Sequence, residues 1–88
     1  MNPSRIVQVS ATGDVVTTSA YLRELVVTAA EAAATVEVRA GGAAGATVLT
    51  VAAAAGATAS AEVTDALCSG GIHLTLVGAG ALATVTFA

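Results

Sequence analysis

Tyr21-Leu-Arg-Glu-Leu-Val-Val-Thr-Ala-Ala-Glu-Ala-Ala-Ala34 is the stretch on which the fold turns. Leu22, Leu25, Val26, Ala29, Ala30 and Ala33 recur at helical spacing, and Ala, Leu, Arg and Glu favour a helix. Read as a strand, Tyr21–Thr28 is a buried run with Tyr21, Arg23, Leu25 and Val27 on one side. The residues of this stretch leave helix and strand balanced. The next segment decides. Thr35-Val-Glu-Val-Arg39 sets Val36 and Val38 against Thr35, Glu37 and Arg39, the pattern of a half-buried strand. We therefore read Tyr21–Thr28 as a strand and Ala29–Ala34 as the connection of a hairpin.

The same periodicity extends in both directions. Arg5–Ala11 sets Val7, Val9 and Ala11 against Ile6, Gln8 and Ser10, and Thr12-Gly13-Asp14 marks a turn before the β-branched run Val15–Thr18. Downstream, Ala40–Gly45 is a glycine-rich loop, Thr47–Ala53 a strand, and Ala54-Ala55-Gly56 a turn. Ala57–Val63 alternates Ala with Thr, Ser and Glu, as an edge strand does, and Thr64–Gly71 reads as a longer loop. Ile72–Val77 sets Ile72, Leu74 and Leu76 inward, and Ala81–Phe87 closes the chain beyond Gly78-Ala79-Gly80. Short strands punctuated by turn residues every 8–12 positions or so predict an all-β domain. The expectation is an antiparallel β-sandwich, jelly-roll or immunoglobulin-like, of seven or eight strands. It spans residues 5–88 behind a short arm, Met1–Ser4, that Pro3 restrains.

Composition narrows the function. Of the 88 residues 23 are Ala, the bulky aliphatics are 13 Val, 7 Leu and 2 Ile, and Lys is absent. A short domain leaves much of its surface exposed, and small scaffolds compensate with disulfides, metals or association. A single Cys excludes an internal disulfide. Association is the remaining remedy, and so few charges predict modest solubility for a free monomer. The net charge of −3 carries no basic patch, which argues against nucleic acid as a partner. No run of about 18 bulky apolar residues offers a membrane span. The first residues lack the basic and apolar regions of a signal peptide, so the chain is expected to be made in the cytoplasm and not exported by a standard route.

Little of the sequence suggests chemistry. Val77-Gly-Ala-Gly-Ala-Leu-Ala83 matches a relaxed dinucleotide fingerprint, but too few residues follow for the helix, second strand and acidic residue that the motif requires, so a glycine hairpin is expected. Asp65, Cys68 and His73, with Glu62 nearby, lack the paired spacing of zinc ligands. The same residues make a nucleophilic triad only on paper. His73 is expected at the surface or an interface, and Cys68 as a small buried hydrophobe, with an intersubunit disulfide as the alternative. Glu24, Glu31, Glu37 and Glu62 are read as solvated, and Arg23 and Arg39 as pairing across neighbouring strands with Glu37 or Glu24. No metal, cofactor or catalytic residue is predicted. The candidate interface residues are Arg5, Ile6 and Val7, whose strand could add to a neighbour's sheet, and Tyr21, the aromatic candidate for a contact hot spot. Core packing is the plainer account of Tyr21.

The succession of segments resembles a known group of proteins. Tyr21–Ala29 (YLRELVVTA), Thr35–Gly42 (TVEVRAGG), Gly45–Val51 (GATVLTV), Gly70–Gly78 (GGIHLTLVG) and the closing ATVTF are similar to small all-β virion proteins of tailed bacteriophages and gene-transfer agents. Those proteins serve as capsid decoration, cement, head-spike or head-fibre-base components. The resemblance spans about Val9 to Phe87 and rests on strand patterns. It implies a sandwich displayed in repeated copies on a shell, and it supplies no catalytic residues. The expected function is therefore that of a virion structural protein, not an enzyme. The partners expected are the major capsid protein, other virion proteins and further copies of the chain, three by preference. The alternatives are a tail or neck component, or a receptor- or glycan-binding module. The scarcity of exposed aromatic candidates counts against glycan binding.

Overall fold

The computed structural model describes residues 4–88; of the proposed arm, Met1–Pro3 lie outside the described residues. Eight strands follow one another: β1 (Arg5–Val9), β2 (Gly13–Val16), β3 (Ala20–Thr28), β4 (Ala34–Ala40), β5 (Ala46–Ala53), β6 (Thr58–Cys68), β7 (Ile72–Val77) and β8 (Leu82–Phe87). They form two four-stranded sheets, ordered β1-β8-β3-β6 and β2-β7-β4-β5, with every neighbouring pair antiparallel. The all-β sandwich read from the sequence is the structure, and Tyr21–Thr28 is a strand. Only β4 and β5 are successive strands paired within one sheet; each other connection crosses to the opposite sheet. This order is that of a jelly roll.

The crossings correct two expectations. β3 and β4 do not form a hairpin: residues 29–33 carry the chain from the first sheet to the second. Gly78–Ala81 does not close a hairpin either. It is a turn between sheets, closed by the Ala81 N–H donating to Gly78 O at 3.3 Å, and it leads into a strand. The helix required by a dinucleotide fingerprint is not there. Gly78 sits at φ 126°, and a Cβ at this position would lie 2.6 Å from Ala33 O, because the β3–β4 and β7–β8 crossings pass against each other.

The core fills the space between the sheets. Leu22, Leu25 and Val27 from β3, Val36 and Val38 from β4, Ile72 and Leu74 from β7, and Val85 from β8 are wholly buried. Ala20, Ala29, Ala34, Ala53, Ala81 and Ala83 join them, so part of the alanine excess is core.

β3 does not alternate uniformly. The register slips between Leu22 and Glu24 against both β6 and β8. A bulge inserts one residue and resets which side chains face inward. Leu22 and Leu25 are therefore both buried, while Tyr21 is 46% exposed. This overturns the placement of Tyr21, Arg23, Leu25 and Val27 on one side, and with it the core-packing account of Tyr21. β6 runs five residues beyond the predicted Val63, through a stretch expected to be loop. Asp65 adopts φ 41° there, a left-handed conformation that Asp tolerates.

Candidate functional site: two unlike outer faces

Residues directly opposite in an antiparallel ladder share a face. Arg5 pairs with Phe87, Val7 with Val85 and Val9 with Ala83, so Arg5 and Val7 point towards the interior side of the first sheet. Val7 packs half-buried on the core. Arg5 is exposed at the rim of a cleft of about 300 Å³, shared with Val16, Thr18, Ser19 and Phe87. Ile6 pairs with Thr86, which in turn pairs with Glu24, and is 70% exposed on the outer side. Tyr21 lies on that same outer side, where its N–H donates to Ala88 O at 2.8 Å and its C=O accepts from Ala88 N at 2.9 Å. The structure thus brings Ile6 and Tyr21 to one face and turns Arg5 and Val7 away from it.

The outer face of the first sheet also holds residues that sequence reasoning missed. Leu67, assigned to a loop, stands directly opposite Tyr21 and is 57% exposed. Leu82, opposite Thr28, stands at the far end of the same face, beyond Glu24 and Glu62. Four of the six large hydrophobic residues exposed among the described residues, Ile6, Tyr21, Leu67 and Leu82, therefore occupy this face; Val48 and Val77 belong to the other sheet. The charges are also patterned. Arg23 Nε donates to Asp65 Oδ1 at 2.8 Å, tying β3 to β6, and Nη1 donates to Ser4 Oγ. Glu24 stands opposite Glu62 with no cation bonded to either among the described residues. Like charges directly opposite are unfavourable, so this face carries an apolar surface around an uncompensated carboxylate pair.

The outer face of the second sheet is different. Asp14, His73 and Arg39 line up across β2, β7 and β4. His73 is 7% exposed, which corrects the expectation of a surface His. Its Nδ1 donates to Asp14 Oδ1 at 2.9 Å, since a carboxylate only accepts. Arg39 Nη2 donates to Glu37 Oε2 at 2.8 Å along the same strand, and Nη1 to Gly45 O at 3.4 Å. The expected cross-strand pairing of Arg23 and Arg39 with Glu24 or Glu37 is therefore replaced by Arg23–Asp65 and a same-strand Arg39–Glu37 pair, because β3 and β4 are in different sheets.

The residues considered for metal or nucleophilic chemistry are dispersed. Asp65 is held by Arg23 on the first sheet, His73 by Asp14 on the second, and Cys68 is wholly buried. Burial pushes the Cys68 thiol up, against a smaller opposing effect of its hydrogen bond with the Leu22 backbone. A thiol with no exposure cannot reach a second chain without local opening, which removes the intersubunit disulfide. No grouping of three or more His, Cys, Asp or Glu suited to a metal ion occurs among the described residues. Among the described residues no helix is long and apolar enough to cross a membrane. Comparison with known proteins adds no relative: no family model, no curated protein and no solved structure matches this chain.

Proposed function

We propose that this protein is a structural component of a tailed-bacteriophage virion or gene-transfer agent, a capsid decoration, cement or head-spike base protein that binds the shell in repeated copies. The observation that carries the reading is the concentration of Ile6, Tyr21, Leu67 and Leu82 on one outer face of a small sandwich. Exposed apolar surface gathered on one face marks an interaction site. The succession of strand motifs from Val9 to Phe87 supports the choice of partner.

The mechanism is passive. The first sheet lies against a coat subunit, Tyr21 and Leu67 anchor the contact, and many weak contacts in parallel hold the array. Bound coat protein stabilises the sandwich by mass action. Nothing in this role requires catalysis, a cofactor or nucleic acid. The test is quantitative mass spectrometry on particles purified from cells that make the protein. A copy number in fixed proportion to the major capsid protein is expected. Particles free of the protein would overturn the proposal.

A further inference from the structure

The two sheets have four edge strands, β1 and β6 on the first and β2 and β5 on the second. A free edge presents unpaired N–H and C=O groups, and proteins guard such edges with charge, shortness or bulges. Three are guarded. β1 begins with the charged Arg5 and offers only four uncharged residues after it. β2 is four residues long, carries Asp14 and slips in register. β6 carries Glu62 and Asp65, with a register slip of its own. β5, Ala46-Thr-Val-Leu-Thr-Val-Ala-Ala53, has eight residues and neither charge nor proline. Its one irregularity, the slip at Val48, leaves Leu49–Ala53 in unbroken register with β4.

We propose that β5 is a self-association edge, where two copies of this chain join through antiparallel pairing of Leu49–Ala53 about a two-fold axis at Val51. The occupant follows from the edge itself. A strand added to the edge takes up its alternating backbone donors and acceptors in register, and this uncharged segment of large and small residues can pair with its own copy. The slip at Val48 and the turn after Ala53 confine the pairing to five residues, and the antiparallel register that uses all of them is centred on Val51. That register sets Leu49 opposite Ala53 and Thr50 opposite Ala52 of the second copy, each larger residue against a small one, with no charge on either side. An isologous contact of this kind closes on itself. It joins the two second sheets into one continuous sheet of eight strands. It also covers the half-buried Leu49 and the neighbouring Ala59, Ala61 and Val63 of β6, which line the open side of the sandwich. The pair is two-fold, whereas the sequence alone favoured three copies. It stands independently of the virion role, because the outer face of the first sheet takes no part in it.

Analytical ultracentrifugation from micromolar to millimolar concentration tests this with two variants. Thr50 and Ala52 are exposed on the outer face, so substitutions there leave the core untouched. The wild-type protein is expected to approach twice the mass of one chain. Thr50→Lys/Ala52→Lys sets like charges across the seam and is expected to stay monomeric, with an unchanged circular dichroism spectrum. Thr50→Lys/Ala52→Glu sets opposite charges across the same seam and is expected to restore the pair. A wild-type monomer or trimer throughout the range, or a dimer unaffected by the double lysine variant, would overturn the proposal.

Discussion

His73 Nδ1 lies 2.9 Å from Asp14 Oδ1, and this bond fastens the edge strand β2 to β7. β2 has only four residues and a slipped register, so side-chain ties weigh more there than in longer strands. Thr12 adds a second one: its Oγ1 accepts from the Leu76 N–H at 3.0 Å. Asp14→Ala is expected to leave the nearly buried imidazole without its acceptor and to cost about 1–2 kcal/mol. Amide exchange should speed up first in Gly13–Val16. Asp14→Asn keeps an acceptor oxygen and is expected to lose less. Equal stability and exchange in all three proteins would contradict this reading.

The Glu24–Glu62 pair makes the opposite prediction. Two carboxylates face each other across β3 and β6. Glu62→Thr or Glu62→Lys should stabilise the fold by roughly 0.2–1 kcal/mol. Because Glu62 is exposed and Glu24 half-buried, added salt should narrow the difference only in part. Urea denaturation at low and high ionic strength measures both effects.

Cys68 gives the fold a dependence on alkaline pH. Its folded thiol titrates above the ordinary value, so the folded state retains a proton that the unfolded state gives up. The contribution is complete below the ordinary thiol value of the unfolded chain and is lost as pH rises through the raised folded value. Thermal melts of the wild type should fall more steeply between neutral and alkaline pH than those of Cys68→Ala. The variant starts lower because it leaves a small cavity.

Two glycines separate backbone conformation from crowding. Gly42 and Gly78 both have positive φ, 115° and 126°, but a Cβ on Gly42 meets nothing within 4 Å, whereas on Gly78 it meets Ala33 O and Ala34. Gly42→Ala is expected to cost about 1 kcal/mol for the conformation alone. Gly78→Ala should cost clearly more, because it also presses two crossings apart. Denaturation midpoints of the two variants test the order.

The division of this fold into strands was legible because Val, Thr and Leu alternate and glycines mark the crossings. Which strand pairs with which was not. Alternation reports that a strand has one buried face, and that signal is the same whether its successor lies beside it or in the opposite sheet. Hence the expected hairpins at Ala29–Ala34 and Gly78–Gly80 became crossings. The β3 bulge was hidden for a related reason: an inserted residue leaves composition unchanged while it shifts the phase of every later side chain. That shift put Leu25 inward with Leu22, on the side opposite Tyr21. Leu67 was missed because Thr64-Asp65 interrupts the alternation where β6 in fact continues through its own irregularity. His73 was read correctly as facing away from the core, but its burial depends on neighbours from β2 and β4 that no local pattern names.

The central claim is that the outer face of the first sheet is the attachment surface, and particle occupancy compared between faces tests it most directly. Tyr21→Lys/Leu67→Lys alters that face, while Val77→Lys alters the outer face of the second sheet at a residue 62% exposed. With all proteins folded, the double variant should disappear from purified particles and Val77→Lys should remain at wild-type copy number. Equal occupancy of the two variants, or loss of Val77→Lys alone, would contradict it.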